Sequence, residues 1–261
     1  MTEIRGLPAD PDENVDPAEG QTWMQTGSPG SNRGRLPSFA TELIHAALDL
    51  IFPPRCIECG RAGNVYCSTC QQKIHSVSPI QDTHSPLAER RSTGEFSGGL
   101  QKAIHALKYN GQRQLVVVLG DRLAAELARA TWQPTLITAT PLHANRYRQR
   151  GFNQAALLGE HLARRRALPF RGDALTRVRD TRPQVGLGRE DRQSNVQDAF
   201  QADPRLAGGQ RIVVIDDVYT TGATLRACAD ALREAGAKEV WALTVASAMD
   251  GTTHDAHDIP L

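Results

Sequence analysis

The fold is decided by residues 213–224, which read VVIDDVYTTGAT. An apolar run ends in two carboxylates, Asp216 and Asp217, and a loop of small residues then opens a helix. We expect a buried strand over residues 211–216 and a helix over residues 223–235. Backbone N–H groups at a helix N-terminus, with threonine hydroxyls beside them, bind phosphate. Carboxylates at a strand end accept hydrogen bonds from ribose hydroxyls. The stretch therefore predicts a site for a phosphorylated ribose.

The alternative for this stretch is an ordinary strand-to-helix turn in which Thr220 or Thr221 caps the helix. It is not a Walker loop, because no Gly-Lys-Ser/Thr follows. Twin acids followed by Thr-Thr-Gly-Ala-Thr favour the phosphate site over a simple capped turn.

The rest of the chain alternates strands with helices, which is typical of a parallel α/β sheet. Leucine spacing predicts helices over residues 114–130 and 153–167. Short apolar runs predict strands over residues 136–139 and 240–245. Residues 171–201 are polar and arginine-rich, and we expect a long mobile excursion there.

A second basic segment, residues 146–154, reads RYRQRGFNQ and follows the strand at residues 136–139. Its arginines, Arg146, Arg148 and Arg150, alternate, and an extended segment would place all three on one side. Guanidinium groups grip phosphate oxygens in a bidentate way, so we expect this loop to bind diphosphate. A solvated basic loop is the alternative.

Four of the five cysteines lie close together as two Cys-x₂-Cys pairs. They are Cys56, Cys59, Cys67 and Cys70. Two such turns supply the four thiolates of a tetrahedral Zn²⁺ site with no open position, which predicts a structural zinc knuckle. Redox dithiols, disulfides and a four-iron cluster are the alternatives, but the chain shows no export signal that would favour disulfides.

Composition and charge set the remaining expectations. The formal net charge of +1 indicates no general nucleic-acid or membrane partner. No apolar run approaches the roughly 20 residues of a membrane helix, so we expect a cytoplasmic protein without membrane insertion. The predicted division is a disordered extension (1–37), a short helix with the zinc knuckle (38–76), a linker (77–99), the main domain (100–246) and a disordered tail (247–261).

Three segments together resemble the ComF family of competence-associated proteins. They are residues 146–154, residues 182–196 and the Asp-Asp loop, and the run Leu107-Lys108-Tyr109 and the cysteine cluster also fit. The resemblance covers roughly residues 40–246, and the loop itself resembles the diphosphoribosyl-binding signature of type I phosphoribosyltransferases. The resemblance implies a type I phosphoribosyltransferase-like α/β fold, a mostly parallel sheet flanked by helices, preceded by the small zinc knuckle.

The resemblance also implies a site and a chemistry. Asp216 and Asp217 would be the catalytic pair that faces the ribose hydroxyls. The residues implied to wrap the 5′-phosphate are Thr220, Thr221, Gly222, Ala223 and Thr224. The implied reaction moves phosphoribose from phosphoribosyl diphosphate to an unidentified nitrogen nucleophile, with Mg²⁺ on the departing diphosphate.

A flap over residues 182–195 would bring Arg189 and Arg192 to the diphosphate, although a hairpin with solvated charges is the alternative. The family is linked to DNA uptake, so a second hypothesis stays open. In it the chain is a ligand-sensing or binding module with single-stranded DNA or a competence helicase as partner. The sequence therefore does not decide whether the chain is an enzyme.

Overall fold

The computed structural model describes residues 53–81, 85–178 and 199–248. The predicted N-terminal extension, the helix before the cysteines, the flap with Arg189 and Arg192, and nearly all of the predicted tail lie outside these ranges. The α-helices and β-strands of these ranges, in chain order, are α1 (Ser68–Gln71), β1 (Glu89–Ser92), α2 (Gly98–Tyr109), α3 (Leu115–Arg129), β2 (Leu136–Ala139), α4 (Ala144–Arg150), α5 (Gln154–Arg166), β3 (Leu175–Arg177), β4 (Phe200–Ala202), α6 (Pro204–Ala207), β5 (Arg211–Tyr219), α7 (Ala223–Glu234) and β6 (Glu239–Ser247). A short 3-10 helix, Gly172–Ala174, precedes β3.

Within the ranges that the structure describes, the central sheet has four strands in the order β1-β6-β5-β2, and these strands all pair in parallel. Ile215 of β5 lies opposite Ala139 of β2 and Leu243 of β6, which fixes the register of the inner strands. Both faces of β5 are covered, so its apolar run is continuous rather than alternating. The predicted parallel α/β fold is confirmed.

Two hydrophobic clusters lie on the two faces of the sheet. Val213 and Ile215 point to the cluster that includes α2, α3 and α5, whereas Ile212 and Val214 point to the cluster that includes α7 and the β3–β4 pair. This division follows from the two-residue period of a strand. Among the described residues, no helix is long and apolar enough to cross a membrane.

The cysteine segment packs into the same core as the main domain. Cys70 and Tyr66 belong to the cluster that holds Leu100 and Ile104 of α2. A Cβ on Gly99 would lie 2.8 Å from the Tyr66 hydroxyl, so this glycine permits the close approach of α2. The structure therefore differs from the predicted division into a separate knuckle and main domain.

The predicted linker, residues 77–99, contains strand β1 and the first residues of α2. β1 is short and reads ERRS, and it lies at the sheet edge, where charged residues are common. It therefore lacks the apolar run that identifies an inner strand. The inner strands β5 and β6 are each longer than predicted, and they stay paired out to Tyr219 and Ser247.

Candidate active site

A cavity of about 210 Å³ opens at the carboxyl ends of β2 and β5. This is the edge at which parallel α/β sheets bind ligands. The predicted site residues that line it are Arg146, Arg150, Asp216, Asp217, Thr220, Thr221, Gly222, Ala223 and Thr224. The structure thus brings together the predicted phosphate loop, the acidic pair and two of the three loop arginines.

The loop between β5 and α7 has a conformation that depends on Gly222 and Arg226. Gly222 is the N-cap of α7 with φ +74°, a left-handed conformation that favours glycine. A Cβ there would lie 2.1 Å from the Tyr219 hydroxyl. Arg226 Nη2 donates to the Thr221 carbonyl at 2.8 Å and holds the loop from behind. The positive end of the α7 dipole therefore faces the cavity from a fixed loop.

Tyr219 is a support residue that the sequence reasoning missed. Its side chain is buried beside Gly222, and the Arg90 guanidinium lies 3.8 Å from its ring centroid. Arg226 Nη1 donates to its hydroxyl at 3.3 Å. No sequence signal separates this tyrosine from an ordinary core aromatic.

Asp217 is buried, and side chains of two other elements engage its carboxylate. Lys108 Nζ of α2 lies 2.8 Å from Oδ1, and Gln154 Nε2 of α5 donates to Oδ2 at 2.5 Å. Burial lowers the pKa of Lys108, but the Asp217 carboxylate outweighs that effect and the lysine pKa lies above its usual value. Lys108 therefore lines the cavity with a positive charge.

Asp216 lies in different surroundings. Its Oδ1 accepts the Asp217 backbone N–H at 2.8 Å. Burial raises the pKa of Asp216 to about 7, and the adjacent Asp217 carboxylate adds to the rise. A carboxyl group with such a pKa can hold or release a proton near neutral pH, as a general acid or base requires.

The arginine segment is helical and not extended, which corrects the prediction that all three arginines share one side. At 3.6 residues per turn, Arg146 and Arg150 lie on one face of α4, whereas Arg148 points away from it. Arg146 and Arg150 line the cavity, and Arg148 does not; it donates to Asn145 Oδ1 instead. Gly151, with φ +75°, ends the helix.

Arg150 is aimed by its neighbours. Its Nη1 donates to Gln154 Oε1 at 2.5 Å, and its guanidinium lies 5.4 Å from the ring centroid of Tyr109, another cavity residue. Sequence reasoning missed Gln154 and Tyr109 and left Lys108 undecided. All three lie inside the sequence motifs that resemble the family. Those motifs identified the segments, but they did not predict which side chains contact one another.

The four cysteines form a separate candidate metal centre. Their Sγ atoms all lie within 4.8 Å of one another. Cys59 Sγ and Cys67 Sγ are 3.8 Å apart, close to the separation of about 3.8 Å expected for two thiolates of a tetrahedral zinc site. The Cys67 backbone N–H donates to Cys56 Sγ at 3.4 Å, a contact typical of an outer shell around a thiolate. The residues fit a structural Zn²⁺.

Comparison with known proteins shows the family to which the chain belongs. The phosphoribosyl transferase domain family matches residues 134–259. Competence protein F of Haemophilus influenzae is 32% identical over 221 residues, which cover 72% of this chain and 96% of that protein. The chain belongs to the ComF family. This ComF-family chain is also 31% identical over 202 residues to the DNA utilization protein YhgH of Escherichia coli K12. The match covers 72% of this chain and 88% of that protein.

Two solved structures are among those similar to this ComF-family chain. Adenine phosphoribosyl transferase from Trypanosoma brucei matches with 12% identity and a TM-score of 0.37, over 72% of this chain and 97% of that one. The glutamine phosphoribosylpyrophosphate amidotransferase of Bacillus subtilis matches with 24% identity and a TM-score of 0.35, over 49% and 25%.

Proposed function

We propose that this ComF-family protein binds phosphoribosyl diphosphate with Mg²⁺ and transfers the phosphoribosyl group to a nucleophile. One observation carries the proposal: the phosphate loop, the acidic pair and two inward arginines of α4 line a single cavity at the carboxyl edge of the sheet. Each of the three parts suits one portion of that ligand, and none of them alone would require it.

In this proposal the loop from Thr220 to Thr224 holds the 5′-phosphate, and the acidic pair faces the ribose hydroxyls. Arg146 and Arg150 hold the diphosphate. Bound Mg²⁺ would neutralise charge on the departing diphosphate. Glycosyl transfer passes through an oxocarbenium-like state, so the protein mainly fixes the sugar and stabilises the leaving group.

The test is the change in melting temperature when phosphoribosyl diphosphate and Mg²⁺ are added. A ligand that binds only the folded state at about 100 times its Kd adds about 2.7 kcal/mol of stability, which gives a rise of several degrees. Asp216→Asn together with Asp217→Asn should abolish the rise while the chain stays folded by circular dichroism. An unchanged rise in the double variant contradicts the assigned ribose contacts. Turnover with a panel of nitrogen nucleophiles then decides whether binding leads to transfer.

The same four-cysteine set supports the second cofactor in the proposal, a structural Zn²⁺ held by Cys56, Cys59, Cys67 and Cys70. One zinc per chain by elemental analysis is expected. Four freely titratable thiols in the native, zinc-free protein would contradict it.

A binding module for single-stranded DNA is the second candidate, and the outward face of α4 favours it. Tyr147 is 52% exposed there, and Arg148 points away from the cavity. An aromatic ring beside a cation suits stacking and backbone contacts with a single strand. A competence helicase as partner stays a prediction.

A further inference from the structure

A continuous chain of polar contacts crosses the cavity wall from the arginine helix to α2. Arg150 donates to Gln154 at 2.5 Å, Gln154 donates to Asp217 at 2.5 Å, and Lys108 lies 2.8 Å from the other oxygen of Asp217. We propose that Gln154 is a positioning residue that couples the diphosphate-binding arginine to the ribose-binding carboxylate. This inference rests on the proposed function and adds a residue to it.

The chemistry of the amide explains why a glutamine lies here. Gln154 uses its Oε1 to accept from Arg150 and its Nε2 to donate to Asp217, so both ends of one neutral group are engaged. The side chain is only 5% exposed, so water does not readily substitute for either partner. Aspartate, glutamate or leucine at this position could not make both contacts at neutral pH.

The amide also keeps two opposite charges apart. In a direct ion pair, the negative charge of Asp217 would partly neutralise Arg150. The electrostatic attraction between the guanidinium and an anionic ligand would then be weaker. Because Gln154 lies between them, Arg150 donates to a neutral acceptor, and its positive charge remains available to an anionic ligand. Asp217 is oriented in the same way, and its charge is balanced from the opposite side by Lys108.

The backbone that carries Gln154 is fixed to the sheet. It is the first residue of α5, directly after the N-cap Asn153. Asn153 Oδ1 accepts the Ala155 N–H at 3.0 Å, and its Nδ2 donates to the Thr140 carbonyl at 2.9 Å, beyond the end of β2. The start of α5 is therefore tied to the chain beyond β2, and the backbone that carries the Gln154 amide is held in place beside its partners.

The first test compares two ligands, phosphoribosyl diphosphate and ribose 5-phosphate, by titration calorimetry. Only the first carries a diphosphate. Arg150→Ala should weaken phosphoribosyl diphosphate at least tenfold and leave ribose 5-phosphate nearly unchanged. Gln154→Leu should weaken both ligands at least tenfold, because it releases Asp217 as well as Arg150. Gln114→Leu, at an exposed glutamine outside the cavity, is the matched control and should change neither.

The second test uses pH and a conservative variant. In Gln154→Glu the new carboxyl group can donate to Asp217 only when protonated, whereas ionised it repels Asp217 and pairs with Arg150. Arg150 and Asp217 contact this position, and the other charged or titratable groups near Asp217 are Lys108, His105 and Asp216. Relative to the native protein at the same pH, ribose 5-phosphate binding by the variant should recover several-fold between pH 8 and pH 5. Gln154→Leu should show no such recovery.

The outcomes separate the two proposals. If the native protein binds neither ligand, the proposed function fails. If the native protein binds both and Gln154→Leu weakens only phosphoribosyl diphosphate, Gln154 aims Arg150 alone and the coupling is overturned. If Gln154→Leu does not fold, the pH profile of Gln154→Glu still decides: a constant ratio to the native protein at every pH overturns the inference.

Discussion

Asp216 and Asp217 are adjacent in the chain, yet their carboxylates lie in different surroundings. The carboxylate of Asp217 is held by a lysine and an amide, whereas burial and its charged neighbour raise the pKa of Asp216 to about 7. Two carboxylates in different surroundings can serve different ends of one reaction. In the proposed reaction, Asp216 can exchange a proton near neutral pH, while Lys108 and Gln154 hold the Asp217 carboxylate in place.

The raised pKa of Asp216 predicts a stability that falls as pH rises. Between about pH 4 and pH 7 the folded state binds more protons than the unfolded state, so the free energy of unfolding decreases with pH and the loss is complete above pH 7. Asp216→Asn removes this loss. We expect the variant to be more stable than the native protein by about 1–2 kcal/mol at pH 8, with a smaller difference at pH 5, measured by urea unfolding.

A matched carboxylate gives the control for that experiment. The side-chain hydrogen bond from Arg171 holds the pKa of Asp173 below its usual value, so its stabilising effect is present at and above pH 5. Asp173→Asn should therefore shift stability by a constant amount between pH 5 and pH 8. A constant difference for Asp216→Asn as well would contradict the assigned environment.

At the scale of elements, the helical arginine segment shows what sequence reasoning could reach. The alternation of Arg146, Arg148 and Arg150 suggested an extended segment, but Gly151 and the cap at Asn153 allow a two-turn helix before α5. The apolar periods of α3, β2, α5 and α7 predicted those elements to within two residues at each end, because burial fixes them. A polar seven-residue helix carries no such signal.

The helix predicts different effects for two arginines that the sequence treats alike. Arg150→Ala should weaken phosphoribosyl diphosphate binding by about tenfold to a hundredfold, since a charged hydrogen bond is lost. Arg148→Ala, on the outward face, should leave it within about twofold. Both variants are titrated with phosphoribosyl diphosphate and with a labelled single-stranded oligonucleotide.

The titration of both variants with the single-stranded oligonucleotide distinguishes the two candidate functions. If Arg148→Ala weakens DNA binding, and more so at low salt, the outward face of α4 contacts the nucleic-acid backbone. Equal loss of phosphoribosyl diphosphate binding in both variants would contradict the helical placement of the two side chains.

At the scale of the whole molecule, the cysteine segment and the main domain share one core. Sequence reasoning divided them because the cysteine spacing is self-contained and the following residues lack an apolar pattern. In the structure, Tyr66 packs against α2. This contact joins residues far apart in the chain, so the spacing of neighbouring residues does not predict it. Glu58 and Lys102, with 3.2 Å between Oε2 and Nζ, join the same two parts.

The shared core predicts a single unfolding transition. Cys70→Ser should lose zinc and lower the melting temperature of the whole chain by several degrees, because Cys70 is buried in the cluster that includes α2. Cys228→Ser, at a buried thiol outside the four-cysteine set, is the control and should keep its zinc. Differential scanning calorimetry distinguishes the outcomes: two transitions, with the later one unchanged by Cys70→Ser, would mean that the knuckle is an independent unit.

In helix α2, Gly99 of the first turn lies beside Tyr66 of the cysteine segment, and Lys108 of the last turn lines the cavity about 14 Å away along the axis. If the metal fixes the near end of this helix, it also fixes the ammonium group at the far end. Thermodynamic linkage then requires reciprocity: whatever factor zinc adds to the affinity for phosphoribosyl diphosphate, the sugar phosphate adds to the affinity for zinc. Metal exchange measured with and without the sugar phosphate would therefore reveal the state of the distant cavity.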